Sequence, residues 1–147
     1  MRLRASVVFA GLVSIGIGTT PNANAETPMQ LANGFGHIKN SWLMLTKSRV
    51  ENHRDHVEWA LNNEPKIIKA EASKFLRDMA NFRSNFSVTV NQFCQSFGYL
   101  KDAKLSIIDN KQEPREGHIQ WCKESANTEQ RNTEYASFVN ILIEKLK

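Results

Sequence analysis

Ile68, Phe75, Met79, Phe82, Phe86, Phe93 and Phe97 recur at intervals of seven, four, three, four, seven and four residues. Ala72 and Val90 fill the two long gaps. These are helical intervals, so the residues share one face of an α-helix. A continuous helix through them makes about nine turns and runs about 50 Å. Ser87-Val88-Thr89-Val90 has strand propensity, but its flanks keep the helical period, so it is read as helix. Gly98 is placed to end the helix. Met79 falls inside the stripe, which makes it core. An apolar cavity along the stripe is the less economical reading, because a stripe at this spacing is ordinarily packed.

The rest of the chain reads the same way. Thr27 can cap a helix with Pro28 at its first position, where a missing N–H does no harm. Leu31, Phe35, Ile38, Trp42 and Leu45 then mark one apolar face, which Val50, Val57 and Leu61 continue. Gly34 and Gly36 weaken the first turns and place the regular start nearer Gly36. Asn62-Asn63-Glu64-Pro65 is a boundary: Asn ends one helix, and Asn63 caps the next with Pro65 in its first turn. Tyr99 to Ile108 reads as a short helix and Asp109 to Gly117 as the one clear loop. His118 to Lys147 forms the last helix, with Ile119, Cys122, Ala126, Tyr135, Phe138, Val139, Leu142 and Leu146 inward. The expected fold is all-α: a small antiparallel helical bundle of three long helices and one short one.

The first 25 residues have the layout of a cleaved secretory signal. Arg2 and Arg4 give a basic start, Ala5 to Gly18 is apolar, and Ala23-Asn24-Ala25 ends the segment with small residues. Removing 25 of 147 residues leaves 122, from Glu26 to Lys147, enough for one core. The leader takes two of the 19 basic residues and none of the 15 acidic ones, so 17 face 15 in the remainder. That balance, with no concentrated basic stripe, argues against a nucleic-acid binder. No later stretch is apolar enough to span a bilayer. The expected location is the periplasm or the exterior.

Export gives the two cysteines, Cys94 and Cys122, a meaning. In an oxidising compartment a lone pair separated by 28 residues reads as a disulfide. Loop-closure entropy puts its worth at roughly 3–4 kcal/mol, against a total stability of about 5–15 kcal/mol for such a domain. There is no C-x-x-C redox pair and no haem attachment motif. The bond places the end of the Phe-rich helix beside the start of the last one.

The search for chemistry is mostly negative. His53 and His56 share a helix side at i and i+3 and are candidate metal ligands. The H-E-x-x-H and Glu-x-x-His patterns are absent, so a solvated helix face is preferred. Met29, Met44 and Met79 show no axial-ligand pairing for haem. Asp109, Glu113, Glu116 and His118 share the loop region and offer acid–base groups without the burial that tunes them. No nucleophile motif or phosphate-binding glycine loop occurs. Neither cofactor nor metal is expected, and the chain reads as non-enzymatic. Trp59, off the first apolar face, and Trp121, beside Cys122, are the candidate partner contacts.

In size, helicity and export alone, the chain resembles helical accessory subunits of conjugation and type IV secretion machines. It is similar in the same terms to helical periplasmic immunity proteins. No residue is matched, so no site transfers. The expected function is protein binding in the bacterial envelope, with another envelope or secreted protein as partner. The alternative is a carrier or sensor that holds a small ligand or metal between helices.

Overall fold

The computed structural model describes residues 25–85, 87–125 and 128–147. The first 24 residues of the expected leader lie outside them, as do Phe86 and Ala126 of the expected core. Among the described residues there are six α-helices and no strand, arranged as a helical bundle. The helices are α1 (Pro28–Lys47), α2 (His53–Leu61), α3 (Pro65–Asn85), α4 (Val90–Lys104), α5 (Arg115–Glu124) and α6 (Thr128–Lys145). A π-helical turn, Leu105–Asp109, continues α4. The expected first, second and last helices are each two, the first two divided by caps at Asn52 and Thr89, while the expected short helix from Tyr99 is part of α4, so six helices replace four.

α1 begins at the expected Thr27 cap. The Thr27 hydroxyl accepts from the Gln30 N–H, and the Gln30 side chain accepts from the Thr27 N–H, a reciprocal capping box. The helix therefore starts at Pro28, not near Gly36. It ends at Ser48, which takes a left-handed conformation with φ 55° and donates its N–H to Met44 O. Asn52 then caps α2 by accepting from the Arg54 N–H. This break overturns the single long helix to Leu61. Val50 and Leu61, expected inward, are 41% and 48% exposed.

The boundary at Pro65 is as expected, but Asn63 serves the preceding helix. Its side-chain amide donates to Trp59 O. The nine-turn helix is instead two. Thr89 Oγ1 accepts from the Gln92 N–H and caps α4, so Ile68 and Met79 are buried on α3 while Phe93 and Phe97 are buried on α4. The stripe keeps one period because α3 and α4 both pack against α1. α1 is thus the central helix, and α6 closes the bundle against α3 and α4.

Gly98 does not end a helix. It lies inside α4, where a Cβ would stand 2.7 Å from Ile119 Cγ1 and 3.0 Å from Arg115 Cγ. The missing side chain lets α5 cross α4 closely. Cys94 and Cys122 are both fully buried and bonded, with Cα atoms 5.5 Å apart. The pairs 94–122 and 98–119 run in opposite directions, so α4 and α5 are antiparallel and stapled. The expected last helix is two, and the loop before it shortens to residues 110–114, with Gly117 inside α5.

Gly34 is a second seat. A Cβ there would collide with the Ile107 side chain of the π turn. Gly34→Val is expected to destabilise the protein by about 2 kcal/mol or more through overpacking, read as a lower urea midpoint. An unchanged midpoint would show that Ile107 yields without cost. Ser41, Ser96 and Tyr135 join α1, α4 and α6 in the interior: Ser41 Oγ lies 2.7 Å from Ser96 O, and Ser96 Oγ 2.7 Å from Tyr135 Oη.

Candidate functional site

A cleft of about 330 Å³ opens where α1, α2, α4, the π turn and α5 converge. α1 contributes Asn33 and His37, four residues apart and so on one face. α2 contributes its first residue, His53, and α5 its first residue, Arg115. Asp102 comes from α4 and Ser106 from the π turn, while Lys111, Gln112 and Glu113 form the rim. A second hollow of about 210 Å³ adjoins it over Thr27, Met29, Gln30 and Asn110. Asn33, Ser106, Lys111 and Gln112 line both, so the two form one open groove.

Local sequence explains the convergence. Gly36 has no side chain, and a Cβ there would lie 2.6 Å from the His53 ring. That gap lets His53 lie flat on α1 and stack on His37, with ring centroids 4.2 Å apart and planes 13° apart. Gln30 Nε2 donates to Ser106 O, and Ser106 Oγ donates to Gln30 O, both at 3.3 Å. These bonds tie the start of α1 to the π turn. Such turns are rare and often accompany functional sites. Asn110 follows it in a left-handed conformation with φ 51°.

The charges are paired within the walls. Arg115 Nε donates to Asp102 Oδ2 at 2.6 Å, and the guanidinium lies 4.1 Å over the Tyr99 ring. Burial raises the Asp102 pKa, a push that outweighs the opposing pull of Arg115. Lys111 pairs with exposed Glu113 at 3.2 Å and lowers its pKa. His118 is buried behind this wall. Its Nε2 stands 3.8 Å from Asp102 Oδ1 and 3.7 Å from Glu113 Oε1 without a hydrogen-bond partner.

All four histidines of the chain have lowered pKa values. Burial, then His53 and Arg115, pushes His37 down to about 3. Burial and Arg115 lower His53. Burial lowers His56, helped by Lys39 and opposed by Glu51 and Asp55. Burial lowers His118, with Lys101 adding to it. Near neutral pH the cleft therefore presents uncharged imidazoles, which both donate and accept hydrogen bonds. The Nδ1 atoms of His37 and His53 are buried without a partner.

His53 and His56, paired in the sequence reading as candidate ligands, have different partners here. His53 Nε2 meets Asn33 Oδ1 at 3.3 Å, and His56 Nε2 meets Asn40 Oδ1 at 3.2 Å. Stacking of His37 and His53 sends their lone pairs along near-parallel planes, not to one point. Among the described residues no three His, Cys, Asp or Glu side chains are grouped to hold a metal ion. Of the four acid–base candidates, only Glu113 and His118 meet; Asp109 bonds Lys104 at 2.8 Å. Met79 is core, as its place in the stripe implies.

Trp59 and Trp121 lie outside the cleft. Each has one face packed: Trp59 stacks on Phe35 at 4.9 Å and Trp121 on Phe97 at 5.4 Å. They remain 39% and 38% exposed. No helix among the described residues is long and apolar enough to cross a membrane. Comparison with family models, with curated proteins and with solved structures yields no match to this chain.

Proposed function

We propose that this is a non-enzymatic binding protein of the bacterial envelope, which engages another envelope or secreted protein through the groove. The observation that carries the reading is the continuous pair of polar hollows between α1, the π turn and residues 110–114. Small-molecule sites are mostly apolar and enclose their ligand. This groove is open and polar, and its charged side chains are already paired, Asp102 with Arg115 and Glu113 with Lys111. Amides, hydroxyls and neutral imidazoles along its walls suit the alternating donors and acceptors of an extended polypeptide segment. The exposed faces of Trp59 and Trp121 are further contact points in this reading.

The experiment is affinity capture from envelope extracts on the oxidised protein. A stoichiometric protein partner is expected. Gln112→Trp, which fills the groove at an exposed rim position, is expected to weaken its binding at least tenfold. Trp59→Ala and Trp121→Ala are expected to weaken it less than Gln112→Trp does. Full binding by Gln112→Trp would exclude the groove. The unpartnered imidazole nitrogens favour a second reading, in which a small polar molecule occupies the cleft. Native mass spectrometry separates the two through a retained low-mass ligand.

A further inference from the structure

α2 differs from the other helices in how it is held. It has nine residues and, among the described residues, makes its substantial contacts with α1 and no other helix. α5 likewise leans on one neighbour, but the disulfide ties it there. α2 is bracketed by the non-helical segment 48–52 and the turn at 62–64. It grips α1 at four points. The His53 ring lies on His37 and Gly36, His56 meets Asn40, Ala60 is fully buried, and Trp59 covers Phe35. Two of these four grips titrate.

The charged groups around them differ. His56 has Glu51 Oε1 3.8 Å from its Nε2 and Asp55 on its own helix, against Lys39 on α1. A proton on His56 is therefore met by nearby carboxylates. The His37–His53 stack faces Arg115 from α5. Of the two acids lining the cleft, Asp102 on α4 is engaged by Arg115 and Glu113 on the rim by Lys111. A proton added to the stack meets a second imidazole 4.2 Å away and a guanidinium, with no free counter-ion in the cleft wall.

We propose that α2 is a flap latched by the neutral His37–His53 stack, and that proton uptake by this pair releases it from α1 while the disulfide-tied remainder of the bundle stays folded. Release uncovers Phe35, which is buried when α2 is seated. In the seated state burial, with His53 and Arg115 beside it, holds His37 near 3, whereas a released imidazole regains its ordinary value of 6.5. Opening therefore grows tenfold per pH unit, for each proton taken up, as pH falls from 6.5 towards 3.

The test is hydrogen exchange of the intact, oxidised protein at pH 7, 6, 5 and 4, corrected for intrinsic exchange rates. Amides of α2 are expected to lose protection about tenfold per unit below pH 6.5, while those of α4 and α6, which open only with the whole fold, stay far more protected than α2 at each pH. His37→Gln with His53→Gln is expected to flatten that dependence. His56→Gln, which leaves the His37–His53 stack in place, is expected to keep most of it. Equal α2 protection at pH 7 and 4 overturns the proposal. So does equal protection of α2 and α4 at every pH, or a wild-type slope in the double variant. Should the double variant be open at every pH, the wild-type comparison of α2 with α4 decides alone.

Discussion

Reduction of the Cys94–Cys122 bond lowers the melting temperature by roughly 10–20 °C. The figure follows from the loop it closes. A separation of 28 residues corresponds to roughly 3–4 kcal/mol of unfolded-state entropy, and each kcal/mol moves the midpoint of a domain this size by about 3–5 °C. The structure adds a mechanical reason. α5 finds its principal packing on α4 alone, and the bond is its covalent tie to that helix. The close approach at Gly98, with Ile119 and Arg115 over the bare backbone, depends on the same alignment. Arg115 also forms one wall of the cleft, so the reduced protein loses the shape of the cleft as well as stability. Circular-dichroism melts with and without reductant check this, as does the Cys94→Ala, Cys122→Ala double variant. An unchanged midpoint in both contradicts it.

Acid has an effect of similar size. His37 is held neutral in the fold down to about pH 3, whereas the unfolded chain takes up that proton near 6.5. Between those values the unfolded state binds more protons, so stability rises with pH across the window. The contribution is whole above pH 6.5 and is lost as pH falls towards 3. His37 alone accounts for about 1.4 kcal/mol per pH unit. His53, His56 and His118 are shifted in the same direction and add to the slope. Asp102 acts the other way. Its raised pKa gives the folded state the extra proton just above 3.8 and offsets part of the loss there. Urea unfolding at pH 7 and pH 4.5 is expected to show a loss of several kcal/mol, which His37→Gln reduces. Equal stability at both pH values rules out buried neutral imidazoles.

The fold is legible in the sequence where its signals are local. The Thr27–Pro28 start, the Pro65 boundary and the cysteine pair announce themselves within a few residues or by simple pairing, and the structure has all three. Asn52 and Thr89 carry equally local capping signals. Apolar periodicity runs across both and masks them. That periodicity persists because α3 and α4 each present an apolar face to α1, so a stripe shared by two helices mimics one long helix. Gly98 reads as a helix stop in the sequence, and only the position of α5 shows it to be a crossing point.

The cleft was barely readable, since its walls come from positions between Asn33 and Arg115 on five segments. His53, Glu113 and His118 stood out as titratable residues. His37, Asp102 and Arg115 did not. One clue was present: Asp102 lies four residues after Gly98 in a helix whose neighbours Leu100 and Ala103 are core. A carboxylate there needs a cationic partner, and Arg115 is that partner.

The central claim is that the groove contacts another protein, and site-specific photocrosslinking in intact cells tests it most directly. A photoreactive phenylalanine replaces Gln112 on the rim or, in a control, exposed Lys74 on α3. The account predicts a discrete protein adduct from position 112 and none from position 74. Adducts of equal yield from both positions, or from position 74 alone, would contradict it.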